Sequence, residues 1–339
     1  MRIGFIFYAR DLVQDVGSTA RLAEAQGYDL LGIGDSPALA HDPFLALAIA
    51  ALNTSRIRLG TTVTNPQTRH PLILANCAAS LAKLAPGRAF LGLGIGNSGV
   101  RHAAAPPATL KTLESTVATV RELLAGGAVQ ASGTRMVVHG GGARMPILLA
   151  GSGPQSLRLA GRIADAVFIN LGFTPEVLAD GLRWVREGAE AAGRDPAAIE
   201  TWAFGIGAIA ATREQALDEA IGPAIAIGAY ILRGDPATKR IPPAVADKVG
   251  ELLREYEFGE HLTPGHTSNY RLALKLGISD YLLERFAIAG TAQDCRARIA
   301  AVREAGIDNL CLSFTASPDL ARYVKSFGEE VLPAFRSPA

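Results

Sequence analysis

Short apolar runs alternate with amphipathic segments along most of this chain. The runs are rich in leucine and β-branched residues, as buried parallel strands are, and the segments between them space their apolar residues at the helical period. The runs cover residues 3–7, 30–34, 57–63, 89–95, 146–150, 166–170, 199–210 and 309–314. About eight strand–helix units predict a TIM (β/α)8 barrel, and a doubly wound open sheet is the competing α/β topology.

Two stretches interrupt this alternation. Residues 129–139 are short, bounded by glycines and partly alternating, which predicts a hairpin insertion. Residues 234–285 have a mostly helical pattern and lie between the seventh and eighth predicted strands, where an insertion would cover the catalytic face as a lid. Neither a linker-like run nor a short repeat divides the chain, so we predict a single domain over residues 1–339.

Charge and composition narrow the classes of function. The chain has 33 basic and 32 acidic residues, which favours neither a nucleic-acid partner nor a membrane surface. Three widely spaced cysteines indicate reduced thiols in the cytoplasm, and neither a disulfide framework nor a metal site. The first predicted strand has no leader before it, and no apolar run approaches the roughly 18 residues that a membrane crossing needs. These features are typical of a cytoplasmic enzyme with a small-molecule substrate.

Polar side chains follow two of the early strands. The strand at residues 57–63 leads through Thr62 to Asn65, and Pro66 then prevents further ladder pairing. Asp35 and Ser36 follow the second strand. The carboxyl ends of parallel strands are where α/β folds build their sites, so these residues predict hydrogen bonds to a flat ligand. Turn formation is the alternative interpretation.

A glycine-rich segment follows the fourth strand. Gly94, Gly96 and Gly99 satisfy the G-x-G-x-x-G pattern of dinucleotide sites. The residues after Gly99 are a poor start for the helix that such a site requires, so a true dinucleotide site is the weaker interpretation. We expect instead that glycines here let a ligand ring approach the backbone, with Asn97 between them.

The fifth strand ends in a second glycine-rich turn, which leads into a helix. The turn comprises Ala150, Gly151, Ser152, Gly153 and Pro154. Proline is favoured in the first turn of a helix, and the unpaired N–H groups there attract anions. The segment therefore predicts a phosphate site, with a simple tight turn as the alternative.

Candidate side chains for substrate contact lie in the predicted lid. They are His261, His266 and Tyr270, and each has a structural or solvated role as its alternative. The sequence has none of the paired histidine or cysteine motifs that hold metals, and no Walker or nucleophile-elbow motif. We therefore predict no metal centre.

Several stretches together resemble one known family. They are residues 59–71, 87–96, 146–165, 287–291 and 305–308. These stretches resemble the bacterial luciferase-like family of flavin- and deazaflavin-dependent oxidoreductases. Residues 63–66, 187–193 and 250–259 are most similar to the branch that contains methylenetetrahydromethanopterin reductase.

The resemblance implies a TIM barrel that binds a flavin-type cofactor at the carboxyl ends of its strands. In one branch the cofactor is the deazaflavin coenzyme F-420, which transfers hydride to or from an organic substrate. In another it is FMN, which a separate flavin reductase supplies in reduced form to a monooxygenase that uses oxygen. A flavin-binding barrel without turnover is a third possibility. The resemblance also implies a homodimer formed through helices beside the early strands.

The resemblance assigns roles to individual residues. It implies a non-prolyl cis peptide between Thr62 and Val63, behind the cofactor ring. The ring would contact Asp35, Ser36, Thr62 and Asn65, with Gly94, Gly96 and Asn97 beside it, and residues 150–154 would hold the phosphate. Ser36 and Asn97 stand where relatives carry a histidine and an acid. Asp35, Ser36 and Asn97 are therefore the candidate catalytic residues.

Overall fold

The computed structural model describes residues 1–142, 144–261, 263, 265–314 and 319–336. These residues form eleven strands and thirteen α-helices. The strands are β1 (Arg2–Phe7), β2 (Leu30–Ile33), β3 (Arg58–Thr61), β4 (Ala89–Leu93), β5 (Val129–Ala131), β6 (Thr134–Met136), β7 (Ile147–Gly151), β8 (Ala166–Ile169), β9 (Glu200–Ile209), β10 (Ala287–Gly290) and β11 (Asn309–Ser313).

The helices follow the strands of the sheet in alternation. They are α1 (Val16–Gln26), α2 (Pro43–Leu52), α3 (Pro71–Leu84), α4 (Ser98–His102), α5 (Leu110–Leu124), α6 (Pro154–Ile163), α7 (Pro175–Ala191), α8 (Arg213–Ile231), α9 (Pro243–Glu255), α10 (Ser268–Leu276), α11 (Ser279–Phe286), α12 (Ala292–Glu304) and α13 (Leu320–Glu330). Short 3-10 helices cover Pro196–Ala198, Phe258–Glu260 and Leu332–Phe335.

Eight parallel strands of the described chain close into a barrel, in the order β1, β2, β3, β4, β7, β8, β9, β11. The last strand closes the ring because it pairs on both sides. Cys311 lies opposite Gly4 of β1 and opposite Phe204 of β9. The predicted TIM barrel is thereby confirmed. The doubly wound alternative is wrong, because an open sheet would leave two edge strands unpaired.

Large apolar side chains fill the inside of the barrel below its carboxyl rim. Phe90, Phe168 and Trp202 belong to this inner core, and the rings of Phe168 and Trp202 meet edge to face with centroids 6.3 Å apart. The partly buried side chains of Val63, Ala150 and Phe204 pack on this core and line a cavity at the rim. The barrel is therefore solid at its base and has space at the rim.

The hairpin and the helical insertion lie where the sequence predicts them. β5 and β6 pair antiparallel, which confirms the hairpin within residues 129–139. Helices α9 to α11 follow β9 and precede the closing strand β11, which confirms the insertion between the seventh and eighth ring strands. With α8 they share an apolar core of their own, which includes Leu252, Leu282 and Phe286. The single domain over residues 1–339 stays a prediction.

Strand β10 is an addition to the predicted set of barrel strands. β9 is ten residues long, and its second half pairs with β10, so that Ile206 lies opposite Ala287. Ala210 N–H also donates to the carbonyl of Gly290 at 3.2 Å. The two ends of the excursion from residue 210 to residue 286 are therefore joined at one ladder. Among the described helices, none has the length and apolar character of a membrane-spanning segment.

Candidate active site

A cavity of about 180 Å³ opens at the carboxyl ends of the barrel strands. Every one of the eight ring strands contributes a side chain or backbone atoms, at or just after its end in every strand except β9, which contributes from its middle. These residues are Tyr8, Asp35, Thr62, Gly94, Ala150, Asn170, Phe204 and Ser313. Helix α8 and the insertion close the opposite side through Tyr230 and His261. The cavity thus combines an apolar floor with polar groups around its wall, as small-molecule sites do.

The structure brings together most of the predicted site residues, but not all. Those that line the cavity are Asp35, Thr62, Val63, Asn65, Gly94, Gly96, Asn97, Ala150 and His261. Those that do not line it are Ser36, Gly151, Ser152, Gly153, Pro154, His266 and Tyr270. Ser36 is 1% exposed and its hydroxyl has no hydrogen-bond partner in the described part of the chain.

His266 and Tyr270 lie on the outside of the insertion. Their rings stack on each other with centroids 4.2 Å apart, and His266 Nε2 is 3.2 Å from a carboxylate oxygen of Asp218 on helix α8. The side chains of His266 and Asp218 are both more than half exposed. The positions of His266 and Tyr270 therefore indicate a surface contact that attaches the insertion to α8.

The segment after β3 forms a platform at the cavity wall. The peptide bond between Thr62 and Val63 is cis, as the resemblance implies. Thr64 N–H donates to the carbonyl of Gly92, and Gly94 N–H donates to the carbonyl of Thr64, so the platform is joined to the next strand on both sides. A Cβ on Gly94 would lie 2.9 Å from a Val63 methyl carbon, so only glycine leaves the Val63 side chain in place.

Asp35 anchors this platform through a buried ion pair. Its carboxylate accepts hydrogen bonds from the Thr64 hydroxyl at 2.6 Å and from Arg69 Nε at 3.1 Å, and its side chain is 2% exposed. Arg69 also pairs with Asp42 at 2.8 Å. No local sequence pattern predicts the ion pairs of Arg69, because its partners are distant along the chain. Both short contacts are made to Oδ2, so this one oxygen joins the platform to Arg69, and Asp35 also lines the cavity.

The segment after β4 corrects one sequence prediction. Residues 98–102 form helix α4, although the residues after Gly99 are a poor helix start by sequence. Gly96 has φ +91°, a conformation that favours glycine, and Asn97 directly precedes the helix. Helix α4 has only five residues, so the segment still lacks the long helix of a dinucleotide site. The side chain of Ser98 hydrogen-bonds Tyr8 across the cavity wall.

His261 is the residue of the insertion that reaches the cavity. Its Nδ1 is 2.9 Å from the Tyr256 hydroxyl oxygen, and its ring stacks on Phe258 with centroids 5.2 Å apart. Burial lowers the pKa of His261 to about 4, and the charges of His102 and Arg101 act in the same direction. His261 is therefore neutral at pH 7.

This low pKa predicts a stability change with pH. An unfolded histidine titrates near 6.5 and folded His261 near 4, so its contribution to stability is present above pH 6.5 and is lost as pH falls toward 4. We expect His261→Asn, which keeps a hydrogen-bond acceptor for Tyr256, to remove about 2 kcal/mol of the stability loss between pH 7 and pH 4.5. Urea unfolding at pH 7 and pH 4.5 measures it. The exposed His41→Asn is the control, and an unchanged pH dependence in His261→Asn would contradict the prediction.

The predicted phosphate turn lies beside the cavity and is covered by a lysine of the insertion. The N–H groups of Ser152 and Gly153 both donate to the Ser156 hydroxyl at 3.2 Å, and helix α6 begins at Pro154. Lys239 Nζ donates to the carbonyl of Ser152 at 2.5 Å. A flexible cation therefore stands at the N-terminus of a ten-residue helix, where an anion is favoured.

A second cation lies close to Lys239. Arg285 is 2% exposed, and it donates to the carbonyl of Leu171 and the hydroxyl of Tyr281, but its Nη2 has no partner within the described ranges. Burial lowers the pKa of Lys239 to about 8, and the charge of Arg285 adds to this effect. Neither cation forms an ion pair with any carboxylate that the structure describes. Buried cations without a counter-ion indicate a site for an anion.

Comparison with known proteins agrees with this geometry. The sequence model of the family described as "Luciferase-like monooxygenase" matches residues 8–309. A 5,10-methylenetetrahydromethanopterin reductase from Methanolobus tindarius is 31% identical over 98% of this chain and 100% of its own length. An F-420-dependent glucose-6-phosphate dehydrogenase from Mycolicibacterium fortuitum is 33% identical over 57% of this chain and 63% of its own length.

The solved structure of coenzyme F-420-dependent tetrahydromethanopterin reductase from Methanopyrus kandleri has the same fold. It superposes with a TM-score of 0.81 at 23% sequence identity and covers 99% of both chains. The family match spans most of the barrel, including the cavity-lining strand ends except that of β11. The chain therefore belongs to the luciferase-like monooxygenase family, as its sequence predicts.

Proposed function

We propose that this protein is an oxidoreductase that uses coenzyme F-420 to transfer hydride to or from a small organic substrate. The observation that carries the proposal is the pairing of a rim cavity with a neighbouring cation site that has no counter-ion among the described residues. Such a pair of sites fits a flat ring whose tail carries a phosphate. The relative from M. fortuitum supports the deazaflavin over FMN, because its name describes an F-420-dependent enzyme.

The residues present fit this cofactor at both ends. Val63, Ala150 and Phe204 would form the apolar floor under the ring, and Asn65 and Asn97 would offer amide groups at its edge. Lys239, with the N-terminus of α6, would hold the phosphate. The ring, when bound, accepts or donates a hydride. Orientation of the substrate against the ring is the contribution that the cavity itself makes.

The chain supplies a proton donor and a proton acceptor at the cavity wall. Burial raises the pKa of Tyr8, while its hydrogen bond to Ser98 acts in the opposite direction, so the phenol keeps its proton at neutral pH. His261 is neutral and can accept a proton. We assign proton exchange with the substrate to these two side chains. Among the sequence candidates, we assign Asp35 the role of positioning the platform after β3. Asn97 would hydrogen-bond the ligand without taking up or releasing a proton, and Ser36 does not line the cavity.

Titration with each cofactor tests the proposal. We expect micromolar binding of coenzyme F-420 and much weaker binding of FMN. FMN binding together with oxygen consumption in the presence of free reduced FMN would instead establish the monooxygenase alternative, which needs a separate flavin reductase. Cofactor binding without turnover on a broad panel of alcohols, ketones and imines would favour a non-catalytic barrel. Absence of binding by both cofactors would overturn the proposal.

We also propose that the protein forms a homodimer through helices α2 and α3. Leu45 and Leu52 of α2 are 59% and 73% exposed, and Ile73 and Leu84 of α3 are also exposed. Helix α2 is apolar on its buried face as well, so it has the character of a helix that is covered on both sides. The resemblance to the family implies pairing through the same region. Cytoplasmic location stays a prediction.

Charge placed on this helix face should separate the subunits. We expect wild-type protein to be dimeric at micromolar concentration and Leu45→Glu/Leu52→Glu to be monomeric, because two buried carboxylates per subunit would oppose association. Size-exclusion chromatography with light scattering measures the mass. Leu274→Glu, at an exposed leucine of α10, is the control and should stay dimeric. A monomeric wild type, or a double variant that stays dimeric, would refute the assignment of this surface.

A further inference from the structure

A narrow slot joins the main cavity at its mouth. The two spaces share Asn97, Ala226, Tyr230 and His261 as lining residues. The slot continues outward from this shared wall, and its own rim is formed by α4, the end of α8 and the start of the segment after α9.

Two arginines form the rim of the slot. The guanidinium carbon of Arg101 lies 5.1 Å from the centre of the Phe258 ring. Arg233 donates its Nε to the carbonyl of Ala229 at 2.9 Å, which leaves its terminal N–H groups directed elsewhere. Burial lowers the pKa of Arg233, and the charge of Arg101 lowers it further. The two guanidinium groups therefore repel each other, and neither pairs with a carboxylate of the described residues.

The acidic residues near the slot are engaged within their own segment. The carboxylate of Glu257 accepts from Gly259 N–H at 2.9 Å. The carboxylate of Glu260 accepts from the Ser268 hydroxyl at 2.8 Å and from Asn269 N–H at 3.2 Å. His102, whose ring is 5.0 Å from Phe258, adds no negative charge. Burial raises the pKa of Tyr256 in the slot wall, and the charge of Glu260, which reaches this phenol, raises it further. Neither carboxylate pairs with Arg101 or Arg233, so among the described residues both guanidinium groups stay without an acidic partner.

This charge is separate from the cation site at the phosphate turn. Tyr230 lies between the two sites. It hydrogen-bonds Ser152 at the phosphate turn, and the charge of Arg101 at the slot lowers its pKa against the raising effect of burial. Lys239 and Arg285 do not line the slot. A phosphate at the turn would thus leave the arginines without a partner.

We propose that Arg101 and Arg233 form a carboxylate-binding subsite at the mouth of the cavity. The inference rests on the proposed function for the identity of the ligand, which is either an acidic substrate or the acidic part of the cofactor tail beyond the phosphate. Guanidinium groups bind carboxylates through paired hydrogen bonds, and phenylalanine beneath one of them restricts its motion. A substrate with a carboxylate, oriented by this subsite, would extend inward to the hydride-transfer position.

Arg101→Gln/Arg233→Gln tests the subsite in two arms. The first arm compares binding of coenzyme F-420, whose tail carries glutamate carboxylates, with binding of FMN, which has only the phosphate. The second arm compares benzoate with benzamide, which have the same shape but differ in charge, by saturation-transfer NMR on cofactor-loaded and cofactor-free protein. Arg135→Gln/Arg186→Gln removes the same charge from exposed positions and is the matched control.

Loss of about tenfold in F-420 affinity with unchanged FMN affinity supports the subsite and assigns it to the cofactor tail. The second supporting result is that cofactor affinity is unchanged, while wild type prefers benzoate over benzamide and the variant does not. This result assigns the subsite to the substrate. Equal responses of wild type and variant in both arms would overturn it. If wild type binds neither cofactor, the proposed function fails, and the benzoate arm on cofactor-free protein still decides the inference.

Discussion

Replacing Ala150 by leucine will abolish cofactor binding and leave the fold at least as stable as before. Ala150 lines the cavity and packs with Val63 and Phe204 on the inner core of the barrel. A leucine adds three carbon atoms at the floor of a space of about 180 Å³, on a surface that is already apolar. The ring and the new side chain cannot occupy this volume together, so we expect the affinity for F-420 to fall at least about 100-fold.

Two measurements separate this blocking effect from unfolding. Binding is followed by titration of the cofactor, and stability by thermal unfolding of the cofactor-free protein. Ala150→Ser, which adds a single oxygen atom, is the matched control and should bind within a few-fold of wild type. Normal F-420 binding by the leucine variant would show that the ring does not lie on this floor.

Replacing Lys239 by methionine will weaken binding of the phosphate-bearing cofactor and spare its phosphate-free ribityl analogue. Methionine keeps most of the length and the apolar stem of lysine but removes the charge that stands over the carbonyl of Ser152. Hydrogen bonds to a charged group contribute about 1.5–3 kcal/mol, which corresponds to roughly a 10- to 100-fold loss for F-420. The exposed Lys111→Met is the charge-matched control and should have no effect.

The pH dependence of binding gives a second test of Lys239. Its pKa is about 8 in the cofactor-free protein, so the ammonium group is mostly charged at pH 7 and mostly neutral well above pH 8. An anion nearby stabilises the charged form, so affinity should be highest below pH 8 and should fall as pH rises above it. The methionine variant should lack this fall. An equal loss of affinity for the ribityl analogue and for the cofactor would contradict a role in phosphate binding.

The barrel and much of the cavity wall were accessible to prediction because their signals are local. Each strand carries its own apolar run, and the end of each run is marked by glycines or small polar residues such as Asn65 and Gly94. Parallel strands bring these ends to one rim whatever the details of packing. The positions of individual strand ends along the chain are therefore enough to assemble that wall.

The cations beside and above the cavity could not be predicted in the same way. Lys239 lies in the insertion, and only the packing of α8 to α11 brings it to the turn after β7. Arg285 lies at the end of the insertion and reaches the carbonyl of Leu171 after β8. Arg101 lies on helix α4, which the sequence does not favour. His266 illustrates the opposite case, because its residue type and its place in the insertion suggest a substrate contact, whereas the structure stacks it on Tyr270 outside.

The pairing of β9 with β10 determines how freely the segment between these strands can vary in length and sequence. Residues 210 and 286 are the two ends of a long excursion. Close to these ends, Ile206 and Ala287 lie opposite each other in a parallel strand pair that is held by backbone hydrogen bonds alone. The entropy needed to bring the ends together grows only slowly with the length between them. We expect that a segment of different length or chemistry, inserted between β9 and β10, would leave the barrel strands undisturbed. New substrate specificities can therefore arise by exchange of this one segment.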